Sequence, residues 1–419
     1  MIGDYERFDF RKKPNRQWNI LRPIVWLLCF PTIWLKRIKI RKYGMKGLKA
    51  PYLLLCNHNA FLDFSVMTAA TFPQRANYVV AIDGFLISEW LLRAVGCFGV
   101  RKFTSSLHLV RNMKQVIQNG DMCVLFPEAR YSLCGTQSEI PLSVAKLARV
   151  LKVPIVTLLM HGNHIDSPFW NPKSRSAKHQ EAEIRLLLTA EETQSLPTEE
   201  IHRRISEALT YDDYAWQKEK GILVKSKTRA EGLHKILYQC PHCGTEYKMG
   251  SAGAELFCSA CGRRWLMEED GRLRTISPEG EVTAFSHIPD WYEWQRANVR
   301  KEVDDGTYSF SAVVRVDSLP NAKRFIDLGL GTLTHDMEGF TLNVTSQGQE
   351  HTVRWKPQEL IACHVEFEYK GKGDCVDLNT RDDTLYCYPQ GTEFSVTKLA
   401  LATEELHKSA SSRDREGSA

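Results

Sequence analysis

Between residues 51 and about 188 the chain alternates short apolar runs with segments of helical period. Residues 52–56, 77–82, 122–126, 155–160 and 183–188 are almost continuously apolar, a pattern that belongs to strands covered on both faces. Residues 105–119 and 142–152 space their apolar positions three and four apart and predict amphipathic helices. Gly120 and Asp121 supply the turn that brings the chain back into the strand at Met122. The expected fold class is therefore α/β: over residues 51–225, a mostly covered β-sheet flanked by helices, left by a charged helical stretch at 198–220.

The character changes further along. Residues 238–275 contain two pairs of cysteines, and from 285 to 408 short strand-like runs at 309–316, 340–344, 363–367 and 384–388 are separated by turn signals. They end in a helical pattern at 394–407, an order resembling a small PH-like or GRAM-like barrel with a closing helix. The small, charged residues 409–419 read as a disordered tail.

Residues 1–50 have a different task. The apolar stretch 23–35 is interrupted by Pro31 and is too short to cross a bilayer, which needs about 20 residues. No acidic residue falls between Arg22 and Lys49, and Lys36, Arg37, Lys39, Arg41, Lys42, Lys46 and Lys49 follow the stretch. Trp26 and Trp34 beside a basic run suit an element lying in the headgroup zone of an anionic membrane. The first nineteen residues lack the apolar core of a signal peptide. The expectation is a peripheral protein on the inner, cytoplasmic face of the cell membrane, with a lipid surface as partner.

Composition sharpens this in two respects. A net charge of +5 is mild, and the basic residues gather beside the apolar anchor rather than in a stripe, which argues against nucleic acid as partner. Of twelve cysteines, four fall in CxxC pairs and eight are scattered singly, a cytosolic usage rather than a disulfide framework.

Two strand ends carry candidate chemistry. Asn57-His58-Asn59-Ala60-Phe61-Leu62-Asp63 follows the strand ending at Cys56, and Phe126-Pro127-Glu128-Ala129-Arg130-Tyr131-Ser132 follows the strand beginning at Met122. Polar groups at the carboxyl ends of sheet strands sit where catalytic groups collect. Asp63 can return to one imidazole nitrogen of His58, fix its tautomer and leave the other as a base. Taken singly, a helix cap at Asn57 or Asn59, or an ordinary polar strand end, accounts for either segment.

Together the segments resemble the glycerolipid acyltransferase superfamily, which includes bacterial lysophosphatidate acyltransferases. Its NHxxxxD block matches completely, and its FPEGTRS-like block matches at Phe126, Pro127, Glu128 and Ser132. The resemblance, over about 45–210, implies His58 as general base and Asp63 as its orienting partner. It implies a substrate-binding set of Asn57, Arg101, Lys102, Phe126, Pro127, Glu128, Ala129, Arg130, Tyr131 and Ser132, with Glu128 helping to hold the acceptor's head. The implied reaction is direct O-acyl transfer from acyl-CoA or acyl carrier protein to a lysophospholipid hydroxyl, in 1-acylglycerol-3-phosphate first of all. No GxSxG elbow offers a covalent nucleophile.

Two departures bear on the acceptor. Ala129 stands where the family has Gly, and Tyr131 stands where it has a phosphate-gripping Arg, with Arg130 one residue early. These leave three alternatives open: Arg130 takes over the phosphate by a small loop shift, the acceptor lacks that phosphate, or the domain is a non-catalytic lipid-binding scaffold.

Cys240-Pro241-His242-Cys243 and, fourteen residues on, Cys258-Ser259-Ala260-Cys261 form two knuckles with the spacing of a structural zinc ribbon. Cys240, Cys243, Cys258 and Cys261 are the expected ligands of one Zn per chain. A closed four-thiolate site organises a fold and leaves no open position for catalysis. His161, His164 and Asp166 follow another strand and read as polar loop residues.

Overall fold

The computed structural model describes residues 2–104, 106–276 and 283–416. The first layer is built from α1 (Leu21–Leu35), β1 (Lys39–Tyr43), β2 (Leu53–Cys56), α2 (Leu62–Thr71), β3 (Ala76–Ala81), α3 (Glu89–Ala94), β4 (Cys97–Val100), α4 (Leu107–Gln118) and β5 (Met122–Leu125). It continues through α5 (Leu142–Leu151), β6 (Ile155–His161), α6 (Asn163–Asp166), β7 (Glu181–Leu188), α7 (Ala190–Ser195), α8 (Thr198–Ala208) and α9 (Asp213–Glu219). The charged stretch expected as one helix is thus two, and Asp212 caps the second by accepting from Ala215 N at 2.8 Å.

The seven strands order as β1-β7-β6-β2-β5-β3-β4. From β6 through β4 every neighbouring pair is parallel, so five strands end at one edge. β2 is fully buried, and its residues alternate between two cores: Tyr52, Leu54 and Cys56 face one, Leu53 and Leu55 the other. Double coverage is why the strand reads as a continuous apolar run. β1 is a solvent-facing edge strand with the sequence KIRKY, whose charges discourage further pairing.

α1 continues through Pro31, which the sequence suggested would interrupt it. Val25, Cys29 and Ile33 form a buried stripe at four-residue steps, and Trp26 and Phe30 pack on Phe72 at the end of α2. The opposite side is apolar and open: Ile24, Leu27, Leu28, Trp34 and Leu35 are exposed. Residues before α1 form a strap. Phe8 is buried, Phe8 N donates to Pro320 O at 2.9 Å, and Asn15 O accepts from Asn77 Nδ2 at 2.6 Å. The expected anchor region therefore narrows to α1 and its immediate flanks.

A four-stranded antiparallel sheet follows, of β8 (Met249–Ala252), β9 (Glu255–Cys258), β10 (Arg264–Met267) and β11 (Leu273–Ile276). α10 (Ile288–Asp304) leans on it, with Trp291 buried 5.0 Å from Trp265 and donating Nε1–H to Gln239 O at 2.9 Å.

The last layer is an antiparallel sheet of seven strands: β12 (Ser309–Ser318), β13 (Ile326–Asp336), β14 (Gly339–Ser346), β15 (Gln349–Trp355), β16 (His364–Glu366), β17 (Cys375–Asn379) and β18 (Thr384–Pro389). It is closed by α11 (Val396–Glu416). The helix runs well beyond the 394–407 pattern and takes in most of the segment expected to be a disordered tail; residues 417–419 lie outside the described residues. His407 Nδ1 at 2.8 Å from Pro357 O ties the helix down near that point.

Candidate active site

The carboxyl ends of the five parallel strands gather the site. In sheet order they deliver Asn163 after β6, His58 after β2, residues 126–132 after β5, Asp83 after β3, and Arg101 and Lys102 after β4. Segments more than a hundred residues apart thus meet because their strands are neighbours.

His58 Nδ1 lies 3.0 Å from Asp63 Oδ2. The same oxygen accepts from Asn59 N at 2.6 Å and Ala60 N at 3.1 Å, while Oδ1 accepts from Asn163 Nδ2 at 2.7 Å. An oxygen already taking two amide protons has only acceptor capacity to offer, so Nδ1 carries the hydrogen and Nε2 keeps a free lone pair. Asp63 is buried, whereas the His58 side chain is about one-fifth exposed. The ring lies between Phe126 and Tyr131, with centroids 4.1 and 4.0 Å away. The imidazole is thus held in tautomer and in plane, with part of its edge open to solvent.

The second loop supports the first. Glu128 Oε1 accepts from His58 N at 3.4 Å, its Oε2 accepts from Ser138 N at 2.8 Å, and Ser132 N donates to His58 O at 2.8 Å. Burial pushes the Glu128 carboxyl up to about 8, against those two amide bonds. Ala129 N–H is turned inward to Phe126 O at 3.1 Å, and Ala129 sits at φ +56°, the left-handed region that explains the family's Gly there.

Several expected substrate contacts are corrected by these positions. Asn57 is fully buried and bonded to both Met160 N and Met160 O at 2.8 Å, pinning β2 to β6. Glu128 and Ser132 are buried and clasp backbone amides; Ser132 Oγ accepts from Gly135 N at 3.0 Å. Pro127 is buried. Arg130 turns away from the cleft and pairs with Glu404 of α11, which also binds Arg296. Two guanidinium groups hold the buried Glu404 carboxyl down near 2, against burial.

Arg101 donates to Leu319 O at 3.2 Å, Pro320 O at 3.1 Å, Asp382 O at 2.8 Å and Thr384 Oγ1 at 2.6 Å. Burial lowers its pKa to about 10, which leaves it charged at neutral pH. Lys102 Nζ lies 3.8 Å from Asp377 and 4.0 Å from Asp83. The cations assigned to a phosphate are therefore committed to the last layer of the molecule. Of the expected contacts, Phe126 and Tyr131 face His58, and Lys102 is only partly covered.

Asn163 was not singled out by the sequence. Its neighbours, expected as loop residues, lie in regular elements: His161 closes β6 and pairs with Asp213 at 3.6 Å, while His164, buried, and Asp166, bound to Lys36 at 2.7 Å, belong to α6. Only its position after the strand next to β2 could have pointed to Asn163.

The four cysteines form a separate centre. Their sulfurs lie within 4.8 Å of one another, with Cys240–Cys261 and Cys243–Cys258 Sγ pairs at 3.8 Å. That spacing is the edge of a tetrahedron whose metal–sulfur bonds are about 2.3 Å. The group can hold a metal ion.

A largely parallel sheet thus carries at its strand ends an imidazole bonded to a buried carboxylate and partly open to solvent. Residues 37–161 match the family model Acyltransferase. Among solved structures, the 1-acyl-sn-glycerophosphate (LPA) acyltransferase PlsC from Thermotoga maritima is similar at a TM-score of 0.37 and 14% identity, over 45% of this chain and 77% of that one. No curated protein matches the sequence.

Proposed function

We propose that the protein transfers a fatty acyl group from a thioester, acyl-CoA or acyl carrier protein, to the hydroxyl of a lysolipid at a membrane surface. The observation that carries this reading is the His58–Asp63 pair, fixed at 3.0 Å on the open edge of the acyltransferase domain. His58 Nε2 takes the acceptor's hydroxyl proton as its oxygen attacks the thioester carbonyl. The C–S bond then breaks, and the thiolate leaves with the proton held by His58. Asp63 steadies the imidazolium between the two transfers.

The lipid surface is supported by the open face of α1. Trp18 and Trp90, whose rings lie 5.5 Å apart, are exposed as well, as is Phe61 at the start of α2, three residues after His58. Lys39, Lys42, Lys46 and Lys49 are exposed beside it. No helix among the described residues is long and apolar enough to cross a membrane, so the helix would lie in the interface.

The four-thiolate centre is read as zinc, holding the small sheet together. Metal analysis should give one Zn per chain, and Cys240→Ser with Cys243→Ser should lose it. For the reaction itself, the purified chain with labelled acyl-CoA or acyl carrier protein and a panel of lysolipids should give acylated lipid and free thiol in equal amounts. Hydrolysis alone, or no product with any acceptor, would contradict the reading.

A further inference from the structure

β16 of the last layer and the residues after it connect to His58 through two intervening rings, Phe169 and Tyr131. Tyr131 stacks between His58 and Phe169, whose centroid is 5.1 Å from it, and Phe169 in turn meets His364 at 5.7 Å and Phe367 at 5.8 Å. Glu366 and Asp83 stand near enough that both carboxylates act on the Tyr131 phenol. Lys102 is the cation here, and Asp83, Asp377 and Glu366 surround it, keeping it protonated against burial. His364 gives a hydrogen bond partner to Glu366 at 3.0 Å, and burial keeps its ring neutral.

The cluster therefore has three carboxylates against one ammonium. Behind it, Asp377 Oδ1 and His364 Nδ1 are buried without a hydrogen-bond partner among the described residues, on side chains only 2% exposed. Buried polar atoms left unpaired in this way are costly and mark a place where a further donor or acceptor belongs. Nor is the last layer a loose flap. Arg101 is bonded to three backbone carbonyls of the last layer, and Arg130 is ion-paired to Glu404 on α11, both out of solvent.

We propose that the partly exposed carboxylates of Glu366 and Asp83, backed by the buried Asp377, form the acceptor's head-group subsite, and that it takes a hydrogen-bond-donating head, hydroxyl or ammonium, in preference to a phosphate monoester. This rests on the acyl-transfer reading above. Carboxylates accept from both kinds of donor, whereas a phosphate monoester brings nearly two negative charges to a site already short of cations. Where the family's phosphate-gripping Arg would stand, Tyr131 presents a ring to His58 instead. A lysophosphatidate-type acceptor, first choice from the resemblance alone, is the one this subsite disfavours.

The test uses the full chain, a labelled acyl donor and lysolipids of one acyl length with three heads: a phosphate monoester, an uncharged hydroxylated head and an ammonium-bearing head. Wild type should favour one of the two donor heads over the monoester by at least about tenfold in kcat/KM, and which one wins identifies the donor. Glu366→Gln should erode that preference mainly through KM, and Glu366→Lys should move it toward the monoester. Glu366 faces Lys102, Asp83, Asp377 and His364, and burial raises its carboxyl to about 7. The KM for the preferred acceptor should therefore fall as pH rises through that value, and the dependence should flatten in Glu366→Gln.

Turnover that needs His58 but is faster with the monoester, or that ignores both Glu366 variants, overturns the subsite and leaves acyl transfer standing. Absence of turnover with every head overturns both. Wild-type thermal stability in Glu366→Gln separates a lost contact from a lost fold.

Discussion

The loops 57–63 and 126–132 leave adjacent parallel strands at the same edge, yet they use their charges in opposite directions. The first leaves its imidazole partly exposed and holds it with a buried carboxylate. The second turns its charges inward: Glu128 clasps the backbone of the first loop and Arg130 joins α11 through Glu404. Only its two aromatic rings, Phe126 and Tyr131, face His58. Location at a strand end thus tells where a loop will be, and not which of its side chains the cleft will receive.

The difference can be broken from either side. In the first loop, Asp63→Ala orphans the Asn163 amide and two backbone N–H groups and frees the imidazole to choose its tautomer. Acyl transfer should drop about 10³-fold, roughly 4 kcal/mol in the barrier, read as initial rates with the fold checked by circular dichroism. In the second, Glu404→Ala leaves Arg130 and Arg296 buried without their shared carboxylate. Stability should fall by about 3 kcal/mol in denaturant unfolding, while the rate per folded molecule changes by less than about threefold.

Acid sharpens that second result. The Glu404 carboxyl is held near 2, below its ordinary value, so the pair's contribution is complete above the unfolded-state pKa of about 4.3. It fades as pH falls toward 2, because the unfolded chain then binds the proton more readily than the folded one. The gap between wild type and Glu404→Gln should therefore narrow steadily across that window. The smallest effect belongs to Asn163→Ala, which removes one hydrogen bond to the orienting carboxylate. A loss of about tenfold in kcat, with little change in acceptor KM, would mark it as a positioning residue.

What was legible in the sequence follows the range of the interactions. The covered strands β2, β5 and β6 announce themselves because burial on both faces demands continuous apolar residues. β1 does not, since an exposed edge tolerates KIRKY, and β4 is only four residues long. His58 and Asp63 are five residues apart and the paired cysteines meet through local turns, so spacing alone locates both. Asn163 meets Asp63 from a hundred residues along the same domain, and Glu366 and Glu404 reach that domain from the last layer. No local pattern encodes such partners; they depend on strand order and on how the last layer docks. For the same reason, Arg101 and Arg130 looked available for a phosphate until their partners at Asp382, Thr384 and Glu404 were in place.

The most direct test is the single-turnover rate of His58→Ala with a labelled acyl thioester and the best lysolipid acceptor, measured beside wild type at equal folded concentration. The account requires a fall of about 10³-fold or more in transfer to the lipid, with donor binding retained. Transfer at the wild-type rate by a folded His58→Ala chain would contradict it.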